Sequence, residues 1–215
     1  TGLTIAGVSI RQDPADWLLI DPKYVDKDQI LQLPLNANVG TSSVRRKSQL
    51  LDIRPDLQVN DLRGNVPTRI QKLRQGDYQA IVLAAAGIQR LNLDLSDLIV
   101  FPLHPREFVP APAQGVMAYQ CKKDNKEIRE IVKAIHQTET ARLTNIERKV
   151  LQMMDGGCQV PIGVYCETDH FGHYHVWAAY SANENEPLHR IRHSSSTSFE
   201  LAETIVRLLK SGQSA

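Results

Sequence analysis

The chain has 215 residues, 42% of them hydrophobic, which is enough for one large globular domain or two modest ones. Its 25 Lys and Arg residues nearly balance 24 Asp and Glu residues, so the net charge is only +1. This balance excludes an overall field that would attract nucleic acid or an acidic membrane, and it confines any anion recognition to a local site.

The N-terminal residues carry no targeting signal. Residues 1–8 lack the basic and apolar regions of a signal peptide, and no apolar run is long enough to span a bilayer, so we expect a cytoplasmic protein. An alternating apolar pattern begins at Leu3, directly after Thr1 and Gly2, so the given sequence starts almost at once with a strand-like segment. We therefore expect a truncated N-terminus.

Residues 36–97 alternate short apolar runs with helical stretches, which predicts βαβ units around a largely parallel sheet. Pro55 disfavours helical geometry in the residue before it, and Gly76 supplies a helix stop. The predicted elements are a strand at 38–39, a helix that opens at 40–43 and ends near Arg54, a strand at 57–62, a helix from Pro67 to Gly76, a strand at 78–83 and a short helix that carries Arg90.

Four prolines then mark a crossing between domains: Pro102, Pro105, Pro110 and Pro112. Apolar residues fall on one helical face at 128–135 and again at 143–150. Three strand-like stretches follow at 164–168, 174–180 and 188–193, and a closing helix follows at 201–208. This order predicts a small C-terminal α+β domain with an antiparallel sheet.

The helix opening at 40–43 is a candidate anion site. Thr41 and Ser42 bring hydroxyls to free backbone N–H groups at the positive end of the helix dipole, yet Arg45 and Arg46 lie in the first turn, where cations are disfavoured. A bound anion would relieve this conflict. Alternatively, both arginines point into water or pair with nearby carboxylates, and a dipole effect of about 0.3–1 kcal/mol does not decide between the two.

Arg63, Arg69 and Arg90 also follow predicted strand C-termini, the edge at which open α/β sheets bind ligands. The planar guanidinium group suits this edge because it grips a carboxylate through two hydrogen bonds. Any single arginine usually lies on a solvated face, but with Arg45 and Arg46 five arginines follow successive strand ends. We therefore predict an arginine-lined site for carboxylates.

The three cysteines, Cys121, Cys158 and Cys166, form no disulfide framework and no Cys-x-x-Cys pair, and no metal site is predicted. Cys158 lies in the glycine-rich stretch 155–163, which ends in a proline-fixed exit and favours a presented thiol. Burial in the core is the commoner fate of a cysteine, and we expect it for Cys121 and Cys166. A cysteine hydrolase would need a histidine placed beside Cys158, and the sequence offers no obvious candidate.

Five motifs, in order, closely resemble those of the hydroxymethylbilane synthase (porphobilinogen deaminase) family. The motifs are Gly-Thr-Ser-Ser-Val-Arg-Arg at 40–46, Leu-Arg-Gly-Asn-Val with Thr-Arg at 62–69, Leu-Ala-Ala-Ala-Gly with Arg-Leu at 83–91, Pro-Ala-Gln-Gly at 112–115 and Gly-Gly-Cys-Gln-Val-Pro-Ile-Gly at 156–163. The resemblance covers nearly the whole chain and is weakest in the last three strands and the closing helix.

The resemblance implies an α/β fold with a periplasmic-binding-protein-like (type II) domain and a smaller C-terminal α+β domain of three antiparallel strands and helices. Residues 14–114 would be the second domain of the family and residues 138–215 the third, cysteine-bearing domain. The flanking segments 1–13 and 115–137 would be remnants of the first domain.

The resemblance also implies the activity, in which four porphobilinogen units are joined into hydroxymethylbilane with loss of ammonia. Cys158 would hold a dipyrromethane cofactor through a thioether. The residues implied to hold carboxylates of the cofactor and of the growing oligopyrrole chain are Thr41, Ser42, Arg45, Arg46, Arg63, Arg69 and Arg90. The full-length protein would act as a monomer, without nucleic acid or membrane partners.

One departure from the family affects activity. The His-Ser-x-Lys-Asp pattern that bears the family's catalytic aspartate does not occur in these residues, so no catalytic residue is identified here and the chain by itself is expected to lack turnover. Two other interpretations remain: a small organic-anion-binding module without catalysis, which has no need of a presented thiol, and a truncated, non-catalytic product of the enzyme.

Overall fold

The computed structural model describes residues 2–154, 160–182 and 186–212, and its strands form three separate sheets. The strands are β1 (Leu3–Val8), β2 (Asp16–Ile20), β3 (Asn38–Gly40), β4 (Gln58–Asn60), β5 (Ala80–Ala84), β6 (Ile99–Leu103), β7 (Ala118–Lys122), β8 (Ile162–Thr168), β9 (Tyr174–Tyr180) and β10 (His189–Ser195). The α-helices are α1 (Val44–Ile53), α2 (Val66–Arg74), α3 (Ala85–Leu91), α4 (Lys126–Lys133), α5 (Thr138–Met153) and α6 (Leu201–Ser211).

The largest sheet has five strands in the order β4-β3-β5-β2-β6. The strand β3 is parallel to β4 and β5, whereas β2 lies antiparallel between β5 and β6. Successive β2 side chains enter opposite cores, with Leu18 packed in the cluster that includes Leu50 of α1 and Leu19 in the cluster that includes Ile70 of α2. The α/β class expected for this region is confirmed.

The sequence pattern did not predict β2 and β6. The strand β2 is buried on both faces, so it reads as a short apolar run without the alternation of a half-buried strand. The strand β6 contains Pro102, which reads as a loop signal but is tolerated because β6 is an edge strand of this sheet.

The C-terminal sheet has the order β10-β9-β8, and both of its pairings are antiparallel. Apolar side chains on one face pack against α5 and α6, for example Val164 against the cluster that holds Val150 and Ile205. On the other face Trp177 and Ala179 pack against Val109. The predicted three-stranded antiparallel sheet with helices is therefore confirmed, with β10 running through Ser195 rather than ending at 193.

A two-stranded antiparallel sheet joins β1 to β7, with Leu3 opposite Lys122. The helix α4 lies close to β1, since a Cβ added at Gly7 would come within 2.7 Å of a Val132 methyl group. Two chain segments run side by side between this sheet and the rest of the molecule. We call them the crossing segments: the first follows β1 and the second precedes β7. Their backbones are joined by hydrogen bonds from Ser9 N to Met117 O (2.9 Å) and from Gln12 N to Gly115 O (3.1 Å).

In the described part of the chain, no helix is long and apolar enough to cross a membrane. Within the same residues, no group of three or more His, Cys, Asp or Glu side chains is placed to hold a metal ion. The histidines at the turn between β8 and β9 instead share a carboxylate, since His173 and His175 lie 3.3 and 3.2 Å from Asp169.

Candidate functional site

The loop between β3 and α1 is built from hydroxyl side chains. Ser43 caps the helix by accepting a hydrogen bond from Arg46 N, and Thr41 Oγ1 accepts one from Ser43 N at 3.2 Å. Ser42 Oγ donates to Leu62 O at 2.9 Å. Thr41 is buried and Ser42 is exposed, so of the two predicted hydroxyl ligands Ser42 is the accessible one.

Arg45 and Arg46 both bind Asp16, the first residue of β2. Arg45 Nη2 lies 2.8 Å from Asp16 Oδ2, and Arg46 donates to Asp16 Oδ1 through Nε (3.1 Å) and Nη2 (2.7 Å). Pairing of both arginines with a nearby carboxylate, one of the interpretations left open by the sequence, is therefore present. The cause is β2, which brings a fully buried carboxylate beside the first turn of α1.

The charges in this cluster do not cancel. One carboxylate faces two guanidinium groups that are themselves largely buried, which leaves a surplus positive charge inside the protein. Burial alone would raise the pKa of Asp16, but the fields and hydrogen bonds of Arg45 and Arg46 lower that pKa below its usual range. Burial lowers the pKa of Arg45, and the neighbouring Arg46 adds to this effect, although Asp16 opposes it.

Each of these two arginines also donates to a backbone carbonyl, Arg45 to Val109 O (2.8 Å) and Arg46 to Val82 O (3.2 Å). A guanidinium group carries five N–H donors, so neither arginine is saturated by these partners. Their side chains are 7% and 10% exposed, which leaves a narrow approach to the remaining N–H groups.

Arg69 extends the positive cluster. Its Nε donates to Gly64 O at 2.7 Å, and among the described residues no carboxylate lies within ion-pair distance of its guanidinium group. Partial burial lowers the pKa of Arg69, and the charge of Arg46 lowers it further, which places the two arginines in one electrostatic group. Arg45 and Arg46 thus share one carboxylate, and Arg69 lies near enough to Arg46 for their charges to interact.

Arg63 and Arg90 are exposed, and each is linked to this group only through a neighbouring residue. Arg63 lies 3.6 Å from Asp61 with its side chain 84% exposed, and it directly precedes Gly64, which binds Arg69. Arg90 Nη2 donates to Gly115 O at 2.8 Å. Both guanidinium groups are open to solvent and free to meet a ligand from outside.

Two residues that the sequence analysis did not assign complete the cluster, Asp16 and Gln114. Gln114 Nε2 donates to Asp16 Oδ1 (3.0 Å), and Gln114 Oε1 accepts from Arg45 Nη2 (3.4 Å). The signal for Asp16 was a carboxylate opening an otherwise apolar strand, because a charge in that position needs a partner. Gln114 lies within the Pro-Ala-Gln-Gly motif at 112–115, but no residue near it in the sequence indicates which groups it binds.

A second buried ion pair ties the crossing segments to the C-terminal unit. Arg11 Nη1 lies 2.7 Å from Glu147 Oε1, and Glu147 of α5 is completely buried. Its carboxylate also accepts from Ala113 N (2.6 Å) and Cys166 N (2.8 Å). Burial raises the pKa of Glu147, against the opposing effects of Arg11 and the two backbone N–H groups.

Cys158, the predicted cofactor anchor, lies outside the described residues. It falls between the end of α5 at Met153 and the start of β8 at Ile162. Cys166 is buried as predicted, and burial raises the pKa of its thiol to about 12. Cys121 is only half-buried, so the prediction of core packing is wrong for that residue, because β7 belongs to a sheet of only two strands.

A cavity of about 610 Å³ lies away from these arginines, beside the C-terminal end of α1. Asp52, Phe101 and Arg190 are among its lining residues, and none of the predicted site residues lines it. Two of the charged groups there are paired with each other, since Arg190 Nε donates to Asp52 Oδ2 at 3.0 Å. The cavity therefore adds no group to the arginine cluster.

Two family models of known proteins match this chain, and together they cover the arginine cluster and Cys158. The family model described as porphobilinogen deaminase, dipyromethane cofactor binding domain, matches residues 1–130, and the model for the porphobilinogen deaminase C-terminal domain matches residues 141–177. All of the predicted arginines lie in the first match, whereas Cys158 and Glu147 lie in the second.

Curated relatives bear the same name. Porphobilinogen deaminase of Oceanobacillus iheyensis is 45% identical over 170 residues, covering 78% of this chain and 53% of the relative. The protein of Fusobacterium nucleatum is 44% identical over 168 residues, covering 78% and 54%. That of Halalkalibacterium halodurans is 35% identical over 208 residues, covering 97% and 65%. The chain thus spans between about half and two thirds of the length of these relatives.

Similar solved structures include the arginine-specific periplasmic binding protein STM4351 of Salmonella typhimurium, with a TM-score of 0.39 and 13% identity over 62% of this chain and 59% of that one. A YaeC-family lipoprotein of Enterococcus faecalis has a TM-score of 0.39 and 13% identity over 73% and 69%. Likeness at this level carries no argument about function. The two family matches and the curated relatives show that the chain belongs to the porphobilinogen deaminase family.

Proposed function

We propose that this chain is part of a hydroxymethylbilane synthase, a transferase of tetrapyrrole biosynthesis that condenses four porphobilinogen units into hydroxymethylbilane and releases ammonia. The observation that carries the proposal is the surplus positive charge around Asp16, where two buried arginines share one carboxylate and Arg69 has no ion-pair partner among the described residues. Porphobilinogen and its oligomers bear acetate and propionate groups, which are the anions that such a surplus would attract.

The donors fit a dipyrromethane cofactor, whose side chains are carboxylates. Arg63, Arg69 and Arg90 offer accessible donors, while Arg45 and Arg46 would contribute their remaining N–H groups from the buried side. Ser42 is exposed, but its single O–H donates to Leu62 O, so it would bind a carboxylate by exchanging that hydrogen bond. Thr41 is buried and bonded to Ser43 N, so its part would be to shape the loop. When bound, the cofactor supplies the pyrrole end onto which substrate units are added, and we propose Cys158 as its attachment residue.

We further propose residues 14–114 as the second domain of the family, residues 138–215 as the third, and segments 1–13 and 115–137 as parts of the first. The five-stranded sheet and the antiparallel C-terminal sheet support this division, because each has its own apolar core. The proposed protein acts in the cytoplasm as a monomer on small-molecule substrates.

The experiment is calorimetric titration of the chain with porphobilinogen at low ionic strength, with Arg69→Leu as the test variant. Removing one charge-assisted contact should weaken binding about tenfold or more. Arg74→Leu is the control, because Arg74 already pairs with Asp97 at 2.6 Å and is expected to leave binding unchanged. Equal affinity of wild type and Arg69→Leu would contradict the proposed site.

Turnover and attachment distinguish the enzyme from an organic-anion-binding module. Extending the chain by the N-terminal portion of its relatives should give a protein that consumes porphobilinogen and whose intact mass includes a dipyrromethane. The shorter chain should do neither, because it lacks the His-Ser-x-Lys-Asp pattern. Binding of porphobilinogen by the extended protein without a mass increment or turnover would favour the binding module.

A further inference from the structure

The Gln114 side chain contacts both the arginine cluster and the first crossing segment. Its Nε2 donates to Pro14 O (2.8 Å), Ala15 O (3.3 Å) and Asp16 Oδ1 (3.0 Å), while its Oε1 accepts from Arg45 Nη2 (3.4 Å). One side chain therefore touches the first crossing segment, the buried carboxylate and one of the two arginines bound to it.

The backbone on either side of Gln114 is fixed from three directions. Arg11 Nε donates to Gln114 O at 3.1 Å, Ala113 N donates to Glu147 at 2.6 Å, and Arg90 donates to Gly115 O at 2.8 Å. Ala113 and Gly115 both have positive φ angles, 62° and 86°, so the chain turns sharply here. Segment 113–115 is thus held at once by α3, by α5 and by the first crossing.

Only a side-chain amide meets the demands of this position. A planar group must donate toward a carboxylate and two carbonyls and accept from a guanidinium group. Reversing the amide would turn its oxygen toward the carboxylate and both carbonyls, so the surroundings fix its orientation. Glutamate would bring a second acceptor against Asp16, lysine could not accept from Arg45, and asparagine is one methylene shorter.

The same segment is also linked to the two elements that precede and follow Cys158 in the chain. Glu147, which binds Ala113 N, lies on α5, and Cys166, which donates to Glu147, lies on β8. These two elements flank residues 155–159 in the chain. A continuous series of hydrogen bonds therefore links the arginine cluster to α5 and to β8.

We propose that Gln114 is a positioning residue, which holds the Asp16–Arg45 pair in register with segment 113–115 and thereby with the elements that flank Cys158. This inference rests on the proposed function, since the site it positions is the carboxylate site of the proposed cofactor and substrate. Gln114 acts through Asp16 and Arg45 and need not touch the ligand.

The test compares Gln114→Met, which keeps the length but loses the amide, with Gln114→Glu, which keeps an acceptor for Arg45 but loses the donor to Asp16. Gln71→Ala, an exposed glutamine on α2, is the control. Two measurements are made on the 215-residue chain: titration with porphobilinogen, and nitrogen-15 NMR of hydrogen exchange at the Arg45 guanidinium group, with its signal assigned through Arg45→Lys.

Both Gln114 variants should bind porphobilinogen about tenfold more weakly and exchange the Arg45 guanidinium hydrogens about tenfold faster, well below their melting temperatures. Gln71→Ala should match wild type in both. A lower melting temperature with unchanged exchange and affinity would overturn the positioning role. If Gln114→Met fails to fold, Gln114→Glu decides the question.

Failure of the proposed function gives a different result. Wild-type chain that binds no porphobilinogen would contradict the proposed substrate site in this chain. The exchange rate of Arg45 would still report on positioning, because it needs no ligand. Faster exchange in the Gln114 variants would then support the structural link, and unchanged exchange would reject it.

Discussion

Glu147 and Cys166 are joined by a hydrogen bond of 2.8 Å from the Cys166 backbone N–H to Glu147 Oε1, which fastens α5 to β8 on either side of residues 155–159. The same carboxylate binds Arg11 and Ala113 from the crossing segments. The buried Glu147 side chain thus connects α5 to β8 and also connects both of them to the two crossing segments.

Glu147→Gln should therefore lower the free energy of unfolding by about 3–5 kcal/mol, because it removes a fully buried carboxylate and leaves the partly buried Arg11 guanidinium group without its counter-charge. Urea unfolding of wild type and variant measures the difference. Glu139→Gln on the same helix is the control, since its pair with Arg142 is exposed and should change stability by less than about 1 kcal/mol. Similar small losses in both variants would contradict a central role for Glu147.

Asp16→Asn should destabilise the fold by a similar amount, about 3–5 kcal/mol, since two largely buried guanidinium groups would lose the carboxylate that they share. Asp97→Asn provides a matched comparison, because Asp97 also binds an arginine through both oxygens but at the surface. The surface change should cost less than about 1 kcal/mol in the same urea titration. Equal losses at the two sites would show that burial of Asp16 does not set its contribution.

The free energy of unfolding should depend on pH through the protonation of Asp16. Its pKa is lowered in the folded protein, so its contribution is present above the unfolded value of about 3.9 and is lost as the pH falls through the folded value. The stability gap between wild type and Asp16→Asn should therefore be constant near neutral pH and shrink below about pH 4. Urea titrations across this range test the sign, and a gap that widens in acid would contradict it.

A glycine can be required by a positive φ angle or by the close approach of a neighbouring atom, and Gly115 and Gly76 allow these two requirements to be compared. Both have positive φ, 86° and 85°, but a Cβ at Gly115 would lie 2.6 Å from Gln12 O, whereas nothing lies within 4 Å of one at Gly76. Gly76→Ala should cost about 1 kcal/mol from backbone strain, and Gly115→Ala clearly more, about 2–3 kcal/mol, because the two crossing segments must separate. Thermal unfolding of both variants measures this, and equal losses would indicate strain alone.

Cys158→Ser, made in the chain extended by the N-terminal portion of its relatives, should abolish both the dipyrromethane mass increment and hydroxymethylbilane formation. Cys121→Ser is the control and should retain both. Intact-mass spectrometry gives the direct readout. A Cys158→Ser protein that keeps the full increment would contradict the assignment of the anchor.

The parts of the fold that follow local rules could be predicted from the sequence. The helix 44–53 has its cap at Ser43 and its stop before Pro55, and the strand Tyr174–Tyr180 has the predicted bounds, because capping and residue pattern act within a few residues. Asp16 was harder to assign, since its partners lie about 30 positions along the chain and the strand that carries it has no alternating pattern. Gln114 pairs across about 100 positions, and no local signal specifies such a contact.

The sheet of β1 and β7 has a consequence for synthesis of the protein. The partners Leu3 and Lys122 are about 120 positions apart, so at 5–20 residues per second β1 emerges roughly 6–24 s before the strand with which it pairs. During that interval its backbone N–H and C=O groups lack the β7 partner, while the five-stranded sheet between them can already form. An unpaired strand edge of this kind is open to pairing with another nascent chain until β7 emerges.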